Sequence, residues 1–407
     1  MIFHNTAYIT PEFTVERADI TIAGGVISSI APPTGDPTRT LMIPGLVNSH
    51  SHVPMTLLRG WGEGLPLDRW LTERVFPFEA LMTDSDVCCG ALVGIAEMLA
   101  SGVTDFRDMY DHCDAIADAV TAAGIKCRLS RGLTALDGSA FAGSQGERET
   151  LALFERAAAS DLITPEIAIH AEYTSHPDFV RDAASLAKSL NAAVHVHVSE
   201  TYKEHTECIT RNGVTPTAYF AKLGLFDTSA VAAHCVWVTD DDIRILRDYG
   251  VTVSHNPSSN MKLGSGFAPV RKMLDAGVSV ALGTDGAASN NNLNMFEEMH
   301  LAALMNGLTP AEALRMAARG NSITVGGAAD VAVIDLDKPH LRPNHDVLAS
   351  LVYSAQSSDV ATTLVNGEVV YERGVGTRFN LAEALDLADE SAARIASALS
   401  DSRKQKS

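Results

Sequence analysis

His50 and His52 stand two residues apart in IPGLVNSHSH. On a strand this spacing puts both imidazoles on one face, where they can share one ion. The pair alone is a weak signal, because a histidine on an apolar strand is more often a satisfied core residue. Here it is joined by His197 in AVHVHVSE and Asp285 in VSVALGTDGA. Three imidazoles and one carboxylate suit zinc, and also iron or manganese. The expectation is one divalent metal ion per chain, most simply Zn2+, held by His50, His52, His197 and Asp285. Such a set leaves room for a water whose pKa a metal lowers from about 15.7 toward ~7. Glu200, three residues after His197, can move protons between that water, a ring nitrogen and a leaving group. Asp285 can take a proton from the water. His234, in AVAAHCVW, can polarise the developing tetrahedral centre. The catalytic expectation is therefore Glu200, His234 and Asp285.

A second metal would call for a bridging lysine. The run EIAIHAEYT holds none and offers His170 instead. His195 shares a face with His197 and is read as a supporting or packing residue. His255, in SHNPSSNMKLGSG, is read as shaping its loop through its own hydrogen bonds. There is no HExxH, and no CxxC of the small zinc deaminases.

These residues need strand ends that converge. Eight apolar runs do this: LMIPGLVNSHSH, GVTDFRDMY, KCRLSRGL, EIAIHAEYT, AVHVHVSE, AVAAHCVW, VTVSHNPSS and VSVALGTDGA. Each is followed by a helical or helix-capable stretch, such as SDVCCGALVGIAEMLASG. The alternation predicts an α/β fold, a (β/α)8 TIM-like barrel with its site at the C-terminal strand ends. A doubly wound open sheet is the alternative, but no glycine-rich phosphate fingerprint follows the first strand. ADITIAGGVISSIAP near the start and ADVAVIDL with ATTLVNGEVVYERG near the end read as strands and tight turns. The two ends are expected to pair. The division is residues 1–43 with 327–378 as a small β-sandwich, 44–326 as the barrel, and 379–407 as a C-terminal helix and tail. Asn380 is a candidate helix cap, and DSRKQKS is expected to fray.

The net charge of −19 argues against a nucleic-acid backbone or an anionic membrane as partner. The six cysteines carry neither a disulfide pattern nor a zinc-ribbon pattern, which fits reduced thiols in a cytoplasmic protein. The first residues, MIFHNTAYITPEF, do not read as a signal peptide. The expected partner is a small-molecule substrate, and pairing into a homo-oligomer is expected by analogy with other barrel hydrolases.

PGLVNSHSH, HVHVSET, AAHCVW, SHNPSSNMKLGSG and GTDGAASNNNLNMFEEM resemble the amidohydrolase superfamily over essentially the whole chain. The pattern is most similar to the methylthioadenosine/S-adenosylhomocysteine deaminase group, related to the chlorohydrolase branch. The resemblance implies metal binding by His50, His52, His197 and Asp285, and proton transfer and polarisation by Glu200, His234 and Asp285. It implies substrate contacts from Glu79, Arg131, His170, Glu200 and Asp285, with Glu79 on the ribose hydroxyls. A carboxylate accepts two vicinal hydroxyls well, and arginine suits an acceptor-rich edge. Trp61 and Trp70 are candidates for covering the base. Departures are Glu172, Ser175 and His176 in HAEYTSHP, which put charge and bulk near the substrate's tail. Arg148 is a second tail-binding candidate by position only. The implied reaction is metal-dependent hydrolytic deamination of an adenosine-type nucleoside. The alternative substrate is a free purine, a pterin or a triazine ring, losing ammonia or chloride.

Overall fold

The computed structural model describes residues 1–406. The chain opens with β1 (Ile2–Ile9), β2 (Val15–Ala23), β3 (Val26–Ala31) and β4 (Thr40–Pro44). One residue later it enters a second sheet. That sheet holds β5 (Leu46–Ser51), β6 (Val103–Tyr110), β7 (Lys126–Leu133), β8 (Ile163–Ile169), β9 (Val194–Val198), β10 (Ala230–His234), β11 (Thr252–His255) and β12 (Ser279–Leu282). β13 (Val331–Asp335), β14 (Val360–Val365), β15 (Glu368–Glu372) and β16 (Val375–Gly376) return to the first sheet. The second sheet runs β5 to β12 in strict order with every neighbour parallel. This is the barrel expected from the eight apolar runs.

The barrel seam lies between β12 and β5. The Asp285 amide donates to the His50 carbonyl at 3.0 Å. Asn48 donates from Nδ2 to Thr284 Oγ1 at 2.7 Å, and its Oδ1 accepts from the Thr284 amide at 3.0 Å. Gly283 permits this approach. A Cβ there would stand 2.8 Å from the His50 amide nitrogen and 2.5 Å from Asn256 Oδ1. That is closer than any side chain tolerates, so a larger residue would open the seam.

The two chain ends form one mixed sheet, in the order β16-β15-β14-β13-β4-β1-β2-β3. It turns back on itself. The Ile27 amide reaches the Gly327 carbonyl at 3.0 Å, and the Gly367 amide reaches the Ala329 carbonyl at 3.0 Å. Ile20, Ile27, Met42, Val331 and Leu364 fill the space enclosed. Asn380 caps the last helix, Leu381–Lys406, with its Oδ1 accepting from the Glu383 amide at 3.4 Å. The helix continues through the segment expected to fray, and Ser407 lies outside the described residues. It packs on the helix Asp84–Ala100, where Arg394 pairs with Asp86. Among the described residues, no helix is long and apolar enough to cross a membrane. All six cysteines are free.

Below its mouth the barrel is not purely apolar. Arg107 on β6 reaches Glu166 on β8 with two hydrogen bonds, of 2.6 and 2.8 Å. Both side chains are buried, at 4% and 1% exposure. A charge left alone here would lack water to solvate it. Glu166→Ala is therefore expected to cost about 3–5 kcal/mol of unfolding free energy by denaturant titration, while a double apolar replacement of both residues costs far less. Equal losses for the single and double variants would refute this account.

Candidate active site and metal centre

The barrel brings the expected residues together at its C-terminal mouth. His50 Nε2 lies 3.4 Å from Asp285 Oδ1, and His52 Nε2 lies 3.3 Å from the same oxygen. His197 Nε2 lies 3.3 Å from His52 Nε2. Donors bound at ~2.0–2.1 Å around a tetrahedral ion stand about 3.3 Å apart. Two overlapping groups, His50 with His52 and His197, and His50 with His234 and Asp285, keep their ligand atoms within 4.8 Å. His50 Nε2 is fully buried and has no hydrogen-bond partner. An orphaned imidazole nitrogen facing two others and a carboxylate fits a cation, so the donor set suits a divalent metal.

Backbone conformation aims these side chains. Ser199, His234 and Asp285 follow or end strands with φ of 48°, 72° and 64°. Such left-handed residues cost of order 1–3 kcal/mol each and persist where surrounding bonds over-determine them. Those bonds are present. Asp285 Oδ2 accepts from Ser259 Oγ at 2.6 Å and from Ser289 Oγ at 2.8 Å. Asp285 Oδ1 accepts from the Gly286 amide at 2.9 Å. Burial works to raise its carboxyl, but the adjoining His50 and His52 imidazoles hold it well below the usual range.

Glu200 sits just past β9. Buried Glu204, in the first turn of the helix Tyr202–Asn212, accepts the Ser199 and Glu200 amides at 2.8 and 2.7 Å. The Glu200 backbone is thereby fixed from behind. Glu200 Oε2 lies 4.0 Å from His234 Nε2, and Ser265 Oγ donates to Oε1 at 3.3 Å. Burial pushes the Glu200 carboxyl up, and the Asp285 charge adds to this against the pull of His234. A carboxyl so placed beside the centre is the group within reach to give and take protons there. His234 Nδ1 is 2.8 Å from Asn260 Oδ1, which leaves Nε2 facing the centre.

A cleft of about 590 Å³ opens over this group. His52, Glu79, Arg131, His170, His197, Glu200, His234 and Asp285 all line it. Glu79 arrives on a helical segment, Leu67–Glu79, that contains a π turn at Leu71–Val75. Its Oε1 accepts from the Tyr110 hydroxyl at 2.6 Å. Burial pushes the Glu79 carboxyl up to about 7, although Tyr110 opposes the shift. Lys203–Asp68 and Lys262–Glu63, both at 2.7 Å, tie this segment and the loop before it to the helices Tyr202–Asn212 and Pro257–Lys262. Arg131 is already occupied. Its Nε reaches Glu149 at 2.6 Å, and its Nη1 meets Asp111 and the Gly132 carbonyl.

Several expected neighbours stand elsewhere. Trp70 lines the cleft, whereas Trp61 packs against Phe78 at 5.4 Å between ring centroids. Arg148 is exposed and donates to the Gly143 carbonyl at 2.6 Å, outside the cleft wall. Glu172 is buried against Arg211 and Asn212, at 2.5 and 2.6 Å. His176 caps the helix Pro177–Leu190 and faces the Ser139 carbonyl at 3.0 Å. Neither carries charge to the cleft. His255 does not shape its loop by hydrogen bonding, because both ring nitrogens are buried and unpartnered. Tyr110, Glu204, Ser259, Asn260 and Ser289 were not singled out from the sequence. Only Ser289, four residues after Asp285 on the turn GAASN, had a readable position.

A family model described as the amidohydrolase family matches residues 41–370. The chain belongs to the amidohydrolase family. Among relatives of this amidohydrolase is the 5-methylthioadenosine/S-adenosylhomocysteine deaminase of Thermoanaerobacter pseudethanolicus. The two are 41% identical over 358 residues, covering 83% of each chain. An adenosine deaminase from Xanthomonas campestris, solved with bound zinc, is similar over 96% of this chain and 98% of its own. Its TM-score is 0.89 at 29% identity. An atrazine chlorohydrolase from Arthrobacter aurescens shares the amidohydrolase fold, with a TM-score of 0.87 at 23% identity over 96% of this chain and 99% of its own.

Proposed function

We propose that this amidohydrolase deaminates adenosine-type nucleosides by hydrolysis, taking methylthioadenosine, S-adenosylhomocysteine or adenosine to the inosine analogue and ammonia. The names of its deaminase relatives support the reaction. One observation carries the substrate class: Glu79, a carboxylate with an oxygen free for hydroxyls, lines the same cleft as Glu200, His234 and Asp285. Residues 44–326 as the barrel, 1–43 with 327–378 as the small domain, and 379–407 as the C-terminal helix and tail complete the reading. The chain's change of sheet between Pro44 and Leu46 supports that division.

His50, His52, His197 and Asp285 would hold one divalent ion, with zinc favoured by the zinc-bound adenosine deaminase. When bound, such an ion supplies Lewis acidity and lowers the pKa of a water. The chain's own groups do the rest. Asp285 takes the proton of the water that attacks the amino-bearing ring carbon. Glu200 gives a proton to the adjacent ring nitrogen, takes one from the added hydroxyl as the carbonyl forms and passes it to the amino group, which leaves as ammonia; the proton held by Asp285 returns to Glu200 and closes the cycle. His234 faces the oxygen added at that carbon and polarises the tetrahedral centre. One water is consumed and one ammonia released. Two tightly held ions per chain at full activity would refute the single-ion assignment.

Glu79 as an ionised carboxylate takes the ribose hydroxyls, with His170 and Arg131 completing the wall. Asp111 and Glu149 already balance the Arg131 charge, so a neutral or cationic group suits this part of the wall better than an anionic one. The mostly buried, free thiols support a cytoplasmic setting, and a homo-oligomer is proposed by analogy alone.

The test is ammonia release by zinc-loaded protein from adenosine, methylthioadenosine, S-adenosylhomocysteine, adenine, guanine and a triazine. Turnover of nucleosides but not free bases is expected. Activity only on a base or triazine would reassign the loop Gly60–Glu79 to another ligand. Glu79→Ala is expected to raise KM for a nucleoside by about 10–100-fold, the value of one or two charge-assisted hydrogen bonds. The pH dependence has a definite sign. Glu79 is protonated below about 7, so KM for a nucleoside falls as pH rises through that value. A nucleoside KM that is flat with pH, or equal losses on nucleoside and base, would count against Glu79.

A further inference from the structure

Each proposed imidazole ligand is gripped from behind, but not in the same way. His52 Nδ1 lies 2.6 Å from the Met109 carbonyl, and His197 Nδ1 lies 2.6 Å from the His170 carbonyl. A carbonyl only accepts, so both Nδ1 atoms carry hydrogen and both Nε2 atoms present lone pairs. His50 differs. Its Nδ1 lies 2.9 Å from Nε2 of His195, another imidazole. Both rings are fully buried, so no solvent competes for the bond.

We propose that His195 is the positioning residue for His50: its Nε2 accepts the Nδ1 hydrogen of His50 and so fixes His50 Nε2 as the nitrogen that faces the metal.

Between the two nitrogens there is room for one hydrogen, so one ring donates and the other accepts. His50 Nε2 faces Asp285 Oδ1 and has no protein partner of its own. A nitrogen that binds a cation must keep its lone pair, so the hydrogen of neutral His50 sits on Nδ1. His195 must then accept at Nε2 and carry its own hydrogen on Nδ1. That Nδ1 is buried without a protein partner. No competing acceptor or donor pulls the His195 ring round. Chain geometry supports the same role. His195 lies two residues before His197 on β9, one step deeper on the same face, with Val231 of β10 beside it in register. It sits below the ligand plane, and of the residues behind the three imidazoles it alone uses a replaceable side chain.

This inference rests on His50 being a ligand, and the experiment separates the two. Apo-protein is titrated with zinc against a competing chelator, for the wild type, His195→Gln, His195→Leu and His50→Ala. Loss of an outer hydrogen bond typically weakens metal affinity 10–100-fold. His195→Leu is expected to show that loss. His195→Gln, whose side-chain oxygen can accept in place of Nε2, is expected to recover most of the affinity. With cobalt in place of zinc, the visible absorption of the leucine variant should shift and that of the glutamine variant should stay near wild type. His195→Met repeats the deletion if the leucine variant does not fold. Wild-type affinity in the apolar variants, or a glutamine variant as weak as they are, overturns the role of His195. Wild-type affinity in His50→Ala overturns the ligand assignment instead.

Discussion

Glu200→Gln is expected to lower kcat by about 10²–10⁴-fold, the usual contribution of one positioned acid–base group, while KM changes little. The substitution keeps size and one acceptor oxygen but cannot exchange a proton. The Glu204 contacts to the Ser199 and Glu200 amides are made to backbone, so they survive the change. The variant should therefore fold, bind metal and bind substrate, and still fail to turn over. Single-turnover measurement with methylthioadenosine is the direct readout. A glutamine variant with undiminished turnover would mean that another group, His234 foremost, moves the protons.

Removing the metal is expected to abolish activity and lower thermal stability together. The donors come from β5, β9 and the turn after β12, so an ion there binds the folded barrel and not the unfolded chain. Free zinc at 1,000 times its dissociation constant stabilises the fold by about 4 kcal/mol, which a chelator takes away. Activity at background, a Tm lowered by several degrees, and recovery of both on adding zinc are the expected outcomes. Full activity in protein shown by elemental analysis to be metal-free would overturn the metal assignment. An unchanged Tm would place the ion, if any, at a site that folding does not depend on.

The barrel was legible because each strand announces itself twice, by an apolar run and by the polar residue that ends it. His50 and His52 were legible because a period of two needs no tertiary information. His197, Glu200, His234 and Asp285 followed from their places at later strand ends. What stayed hidden depends on contacts across the chain. Asp285 meets Ser259 across 26 residues, and His50 meets His195 across 145. No local pattern encodes such a meeting. The same limit explains the errors. Glu172 looked like charge at the substrate's tail until Arg211, 39 residues on, turned out to neutralise it. His176 read as bulk at the cleft, yet its backbone begins a helix and its ring caps it. His255 was credited with hydrogen bonds because polar residues surround it in sequence, whereas its ring lies buried without any.

The seam of the barrel sets an order of events during synthesis. Asn48 and Thr284, whose bonds close the seam, are 236 residues apart. At ~5–20 residues per second, a ribosome needs about 10–50 s to make the stretch between them. His50 and His52 leave the ribosome at the start of that interval and Asp285 at its end. The nascent chain thus offers a histidine pair long before it offers the full donor set. Metal capture by the proposed donor set would be a late event in the life of each new molecule, after which an ion held there would tie the first strand of the barrel to the turn after its last.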